Sequence, residues 1–222
     1  MAIAQVNPDQ YRQQLDAKCE QLAALLLPFS APAAEVFPSP PSHYRMRAEF
    51  RFWHEDDDHF YAMTGENNSM VRVDEFRVAC SQINTLMPVL RHALLQHETL
   101  HRKLFQVEFL AATTGEAVIT LAYHRPLDAA WRAAATTLQD TLGCAVIGRS
   151  RGQKVVLSRD YVDEQFTVNG ETFLQRQPES AFSQPNAAVN THMLAWASLC
   201  CNSMGGDLLE LYCGNGNFTL PL

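Results

Sequence analysis

The sequence predicts an α+β module followed by the opening of an α/β sheet, and three observations support this. Strand-like alternation comes in groups with amphipathic helices between them, the signature of an α+β fold with mostly antiparallel pairing. The character changes after Gln177, where turn residues lead into an apolar helix through Met193, Trp196 and Leu199. An apolar run at 207–212 and the turn Cys213-Gly214-Asn215-Gly216-Asn217 come next. Helix, buried strand and glycine turn in this order open a nucleotide-binding sheet. The expected division is therefore 1–177 and 178–222.

Residues 9–27 carry Tyr11, Leu15, Cys19, Leu22 and Leu26 at the spacing of one helix face, with Asn7 or Asp9 as cap and Pro28 as stop. A connector rich in Pro and Ala, 28–41, leads into SHYRMRAEFRFWH. There strict alternation sets Tyr44, Met46, Ala48, Phe50 and Phe52 on one side of a strand and Arg45, Arg47, Glu49, Arg51 and Trp53 on the other. An acidic turn at 55–58 and a Gly65-Glu66-Asn67-Asn68 turn bracket a second strand, and 70–76 gives a third. A helix over 81–97 is apolar at Ile83, Leu86, Met87, Leu90 and Leu94, with Pro88 expected to kink it. Residues 104–112 and 117–124 form a hairpin across Thr113-Thr114-Gly115-Glu116. A helix over 128–142 stops at Gly143, a residue suited to a helix C-terminus, and three short strands are expected within 145–172.

Composition narrows the function classes. The 222 residues carry 17 Lys+Arg against 24 Asp+Glu, a formal net charge of -7. A protein that coats nucleic acid through bulk charge is basic, so any nucleic-acid contact must be local. No run of about 18 apolar residues is long enough to span a membrane. The opening MAIAQVNPDQ lacks the basic start and apolar run of a signal peptide, and a cytosolic location is the expectation. The six cysteines, Cys19, Cys80, Cys144, Cys200, Cys201 and Cys213, should then be reduced. They form no C-x-x-C pair, so zinc-ribbon, redox and iron–sulfur spacings are missing, and all six read as small buried hydrophobes or bystanders. His97 and His101 have helical i, i+4 spacing near His92, Arg91, Arg102 and Lys103, but no further carboxylate or cysteine ligand stands near them. A solvated helix end is expected there.

A glycine turn after a strand lets the backbone pass close beneath a ligand, and the next helix start offers free N–H groups to it. G-N-G is no dinucleotide fingerprint, because Thr219 stands where G-x-G-x-x-G has its third glycine; an ordinary β-to-α turn is the alternative. The stretches around the turn say more. FSQPNAAVN at 182–190 followed by DLLELYCGNGNF at 207–218 resembles the S-adenosylmethionine-binding start of the RNA 5-methyluridine methyltransferases. SHYRMRAEFRFWH, RHALLQHETLHRKLFQVEFL and LAYHRPLD extend the resemblance over nearly the whole chain. The ribosomal-RNA branch commonly has a cysteine cluster and an added N-terminal domain; this sequence has neither, which favours the tRNA branch.

The resemblance implies an α+β RNA-binding domain followed by the start of a Rossmann-like, S-adenosylmethionine-dependent methyltransferase domain. The implied reaction is methylation of uridine C5 in the T-loop of tRNA, with the T-loop-like uridine of tmRNA as a further substrate. A cysteine thiolate adds to C6, C5 takes the methyl group from the sulfonium, a base removes the C5 proton, and the cysteine is eliminated. S-adenosyl-L-methionine is the implied cofactor, with no metal, iron–sulfur cluster or folate, and the intact enzyme is expected to be a monomer. In the family the nucleophile lies in an S-C-N-P type segment and the base is a late glutamate, both beyond the glycine turn. This chain ends at Thr219-Leu220-Pro221-Leu222 and is expected to be a truncated N-terminal part, inactive alone. The alternative is a non-catalytic tRNA-binding module. Cys213 matches a family position that is not the nucleophile.

By the same resemblance, Gln184, Tyr212 and Asn217 contact the cofactor, and Gly214 and Gly216 give backbone clearance. Gln184 and Asn217 bring amide donors and acceptors, and Tyr212 a ring for stacking or, alternatively, for core packing at a strand end. Arg51, Phe105 and His124 match positions that meet the T-loop. Arg45, Arg47 and Arg51 set guanidinium groups beside the Trp53 ring, as phosphate contact with base stacking requires. Glu49 interrupts that row, and a solvated face with internal ion pairs is the alternative. Phe105 alternates with Val107 and Phe109 and could be core, and His124 with Arg125 could be a surface pair.

Overall fold

A computed structural model describes residues 6–56, 58–202 and 205–222. The first half of MAIAQVNPDQ and Asp57 of the acidic turn lie outside the described residues, as do Ser203 and Met204. The helices are α1 (Tyr11–Leu26), α2 (Ser81–Leu95), α3 (Glu98–His101), α4 (Ala129–Leu142) and α5 (Ala187–Asn202). Strands β1 (Arg47–Glu55), β2 (Asp58–Thr64), β3 (Met70–Arg72), β4 (Leu104–Ala111), β5 (Ala117–Tyr123), β6 (Ala145–Ser150) and β7 (Gln153–Val156) form one sheet in the order β3-β2-β1-β4-β5-β6-β7. Its neighbours run antiparallel except β5 and β6, which are parallel. Parallel neighbours need a crossover, and α4 supplies it. Strands β8 (Tyr161–Val168) and β9 (Glu171–Pro178) form a separate hairpin.

The alternation of β1 holds: Ala48, Phe50 and Phe52 are buried, whereas Glu49, Arg51 and Trp53 are exposed. On the buried side α2 presents Ile83, Met87, Leu90 and Leu94, with Pro88 inside the helix without ending it. The Asp128 carboxylate caps α4 by accepting the Trp131 N–H at 2.8 Å, and Gly143 closes the helix at φ +64. Trp131 lies over β6, and Gly148 makes the room: a Cβ there would also come within 2.6 Å of Leu127. These side chains join Phe109, Ile119 and Leu121 in the main core.

The outer face of the sheet is covered at one end. Val162 of β8 packs on Leu110, Val118, Ala145 and Ile147 there. α5 packs on the hairpin through Leu194 against Phe166 and Val168, and Phe218 joins this third cluster.

Three expectations need correction. α1 forms, but no residue of it is buried, and Leu22 of its apolar stripe stays 45% exposed. β9 escaped the sequence reading because its inward positions include Gln175 and Gln177, which give no hydrophobic period. The strand expected at 207–212 does not form. A strand is held by ladder bonds to neighbours; none pairs with this run among the described residues, and Leu209 and Leu211 stand exposed. No helix among the described residues is long and apolar enough to cross a membrane.

Candidate functional site

Residues 182–184 and the glycine turn fold around a cleft of about 450 Å³, lined by Gln184, Tyr212, Gly214 and Asn217 with Gln175 and Phe218. Small-molecule sites measure roughly 300–1,000 Å³. The two residues that follow Gln184 are both fastened. The Met46 N–H donates to Pro185 O at 2.7 Å, and Asn186 caps α5 by accepting the Val189 N–H at 3.1 Å. The turn is closed by the Gly216 N–H on Cys213 O at 2.9 Å and fastened to β9 by Gln175 Nε2 on Asn215 O at 3.0 Å. Gly214 and Gly216 have φ of +56 and +72, where a Cβ is costly. Asn217 and Asn190 of α5 exchange amide hydrogen bonds of 2.8 and 3.0 Å. Gly216 shapes the turn without lining the cleft. Tyr212, at φ +59, is fully exposed, so core packing at a strand end does not occur. Amides, an open ring and apolar Leu208 and Leu211 give the cleft the mixed chemistry a nucleoside-sized ligand needs.

The second group of residues gathers on the outer face of the sheet. Leu104 pairs with Tyr123 and Gln106 with Ala122, which makes Phe105 the extra residue of a β-bulge. Leu104 and Val107 are buried, while Phe105 and Gln106 are half-buried. The bulge takes Phe105 out of step with the core positions Val107 and Phe109. Its ring stacks on His124, with centroids 3.9 Å apart and planes 12° from parallel. Arg125 does not pair with His124; its guanidinium donates to the carbonyls of Arg102 and Thr99. Arg51 lies opposite Gln106, exposed, and its guanidinium makes no hydrogen bond or ion pair among the described residues.

Arg45 and Arg47 serve the fold. Arg47 donates from Nη1 to Ala181 O at 2.9 Å and from Nη2 to Glu179 O at 2.6 Å, and it stands 3.7 Å from Glu108. Arg45 Nε donates to Arg47 O at 2.8 Å. The expected row of phosphate-facing guanidinium groups is thereby reduced to Arg51. The buried Glu179 carboxylate in turn meets Arg149 at 2.6 Å and Lys154 at 3.4 Å. Burial pushes this carboxyl up, but the Arg149 and Lys154 charges and the Thr120 hydroxyl outweigh it and hold it below the usual range.

The histidines are not simply a solvated helix end. α2 stops at Leu95 and His97 caps α3, so His97 and His101 do not share a helix. His101 packs on His59 at 4.7 Å between ring centroids, and His59 on His54 at 4.4 Å, a meeting across three elements that spacing along the chain does not reveal. Burial lowers the affinity of His59 for a proton, and both neighbours push the same way. Among the described residues, no group of three or more His, Cys, Asp or Glu is arranged to hold a metal ion. Cys80 is buried, Cys144 is half-buried with its thiol pushed up to about 11 by burial, and Cys200 and Cys213 are exposed.

A family model described as tRNA (Uracil-5-)-methyltransferase matches residues 10–222. The tRNA/tmRNA (uracil-C(5))-methyltransferase of Chromohalobacter salexigens is 54% identical over 229 residues, covering 100% of this chain and 61% of the relative. The protein of that name from Stutzerimonas stutzeri is 53% identical over 224 residues, covering 100% and 62%. The chain thus spans about three fifths of the length of these curated relatives. Among solved structures, Pyrococcus abyssi tRNA (uracil-54, C5)-methyltransferase in complex with S-adenosyl-L-homocysteine has the same fold, with a TM-score of 0.71 at 16% identity over 95% of this chain and 53% of that one. With a family match running from residue 10 to residue 222, the chain belongs to the tRNA (uracil-5-)-methyltransferase family.

Proposed function

We propose that this chain supplies the RNA-recognising face and the first wall of the cofactor site of an enzyme that methylates uridine C5 in the T-loop of tRNA, with tmRNA as a further substrate and the intact enzyme a cytosolic monomer. Residues 1–177 recognise RNA, and 178–222 begin the methyltransferase domain. The observation that carries the reading is the convergence of Gln184, Tyr212, Gly214 and Asn217 on one cleft in a member of this family.

S-adenosylmethionine, when bound, supplies an electrophilic methyl group on its sulfonium. Gln184 and Asn217 orient the polar parts of that cofactor by hydrogen bonding. Gly214 lets the backbone come close, and the open Tyr212 ring gives a flat surface for its apolar part. On the RNA side, the Phe105–His124 stack is a platform for an unpaired base, and Arg51 meets a phosphate. The 222 residues contain no S-C-N-P segment, so the chain binds without turnover.

Isothermal titration with S-adenosyl-L-homocysteine and, separately, with a tRNA T-arm hairpin tests this. Both should bind, the RNA more weakly as salt rises. Gln184→Ala should weaken the first ligand about fivefold and spare the second; Arg51→Ala with Phe105→Ala should do the reverse. A chain that binds neither ligand overturns the reading, and radiolabelled methyl transfer by the chain alone overturns the statement about turnover.

A further inference from the structure

Two departures from regular strand geometry and a ring stack meet at the uncovered end of the outer face. Lys103 holds φ +62, a region that residues with a side chain seldom enter outside functional or strained sites. The β4 ladder is then broken by the bulge at Phe105. The ring of Phe105 stacks on His124, whose N–H donates to Lys103 O at 2.9 Å.

β1 runs alongside. Trp53 follows Arg51 on the same strand face, within about 7 Å of it, and the His54 ring nitrogen lies 2.6 Å from Leu104 O, which ties this stretch to the bulge. Across the sheet Trp53 pairs with Phe60, which is buried under the Arg72 guanidinium at 4.8 Å. Trp53 itself is 41% exposed. A single exposed ring is ordinary, but this one stands with two cations. Arg51 and Lys103 make no hydrogen bond or ion pair among the described residues through their side chains, in a chain whose net charge is -7. Free cations beside open rings are the complement of a polyanion with unpaired bases.

We propose that Trp53 is a second stacking platform and Lys103 a phosphate contact for a single-stranded RNA loop, continuing the site begun by the Phe105–His124 pair and Arg51. The inference rests on the RNA reading above and sets how far along the loop that site extends.

Of the 3 tryptophans, Trp131 is fully buried, so in a Trp196→Phe background a change in emission reports Trp53. Saturable quenching is expected on addition of an RNA hairpin with a single-stranded loop, and none with a fully paired duplex of the same stem. By filter binding, Trp53→Ala should lose about tenfold in hairpin affinity, and Trp53→Phe should retain most of it. Lys103→Asn, which suits the left-handed backbone, should lower the salt slope by about 0.7. Hairpin binding with unchanged Trp53 emission and unchanged Trp53→Ala affinity overturns the proposal and leaves the RNA reading intact. Equal quenching by the duplex also overturns it, and failure of the hairpin to bind the parent chain at all removes both.

Discussion

The carboxylate of Glu179 sits where burial alone would favour its neutral form, yet Arg149, Lys154 and the Thr120 hydroxyl keep it charged. A carboxyl held low in the folded chain contributes stability above its unfolded value, about 4.3, and loses that contribution as pH falls through the folded value. Glu179→Gln should therefore cost about 1–3 kcal/mol at neutral pH, because Arg149 and Lys154 lose a charge-assisted partner. The gap to the parent chain in urea midpoint should start to shrink below about pH 4.3 and close only below the lower folded value. A gap of unchanged size there would assign the loss to packing. The same residue has a second use. Its backbone carbonyl, with that of Ala181, receives the Arg47 fork, so the segment that leads to Gln184 is fastened through both main chain and side chain.

At the scale of elements, the bulge in β4 decides what Phe105 is for. Its ring is half-buried and lies against His124, whereas Phe109 four residues on is 1% exposed in the main core. Phe109→Ala should cost about 3–5 kcal/mol in chemical denaturation, as large core truncations do. Phe105→Ala should cost less than about 1 kcal/mol, a surface-like value. Comparable losses would return Phe105 to the core. The contrast also shows what the sequence could reveal. β1, α2 and α4 announce themselves because apolar residues recur at period 2 or 3.6 and because Asp128 and Gly143 bracket a helix. The bulge does not, since Phe105, Val107 and Phe109 look like regular alternation when read along the chain. β9 is silent for the opposite reason, burying glutamines. The 207–212 run reads as a strand by its leucines alone, but strand formation also requires a paired neighbour. For the candidate site, family resemblance supplied Gln184, Tyr212 and Asn217. The use made of Arg47 was invisible because its carbonyl partners lie 132 and 134 residues away.

At the scale of the whole molecule, stability is concentrated around the seven-stranded sheet and thins towards both ends of the chain. Amides of β4 and β5 should exchange slowest with deuterium, and those of α1 and 205–222 fastest, because no residue of these two segments is itself buried. Removing residues 1–29 should move the melting temperature by no more than about 2 °C, as expected of a segment worth about 0.5 kcal/mol. A fall well beyond that would mean that α1 packs on the sheet. The Arg47 clasp carries a consequence for the order in which the chain is built. At about 5–20 residues per second, on the order of ten seconds separates the synthesis of Arg47 from that of Ala181. Throughout that interval the first strand has its hydrophobic side available for the nascent core, while its arginine waits for carbonyl groups that have not been translated. Docking of 179–186 thus comes after every strand of the seven-stranded sheet has been translated, and Gln184 reaches its place only after that.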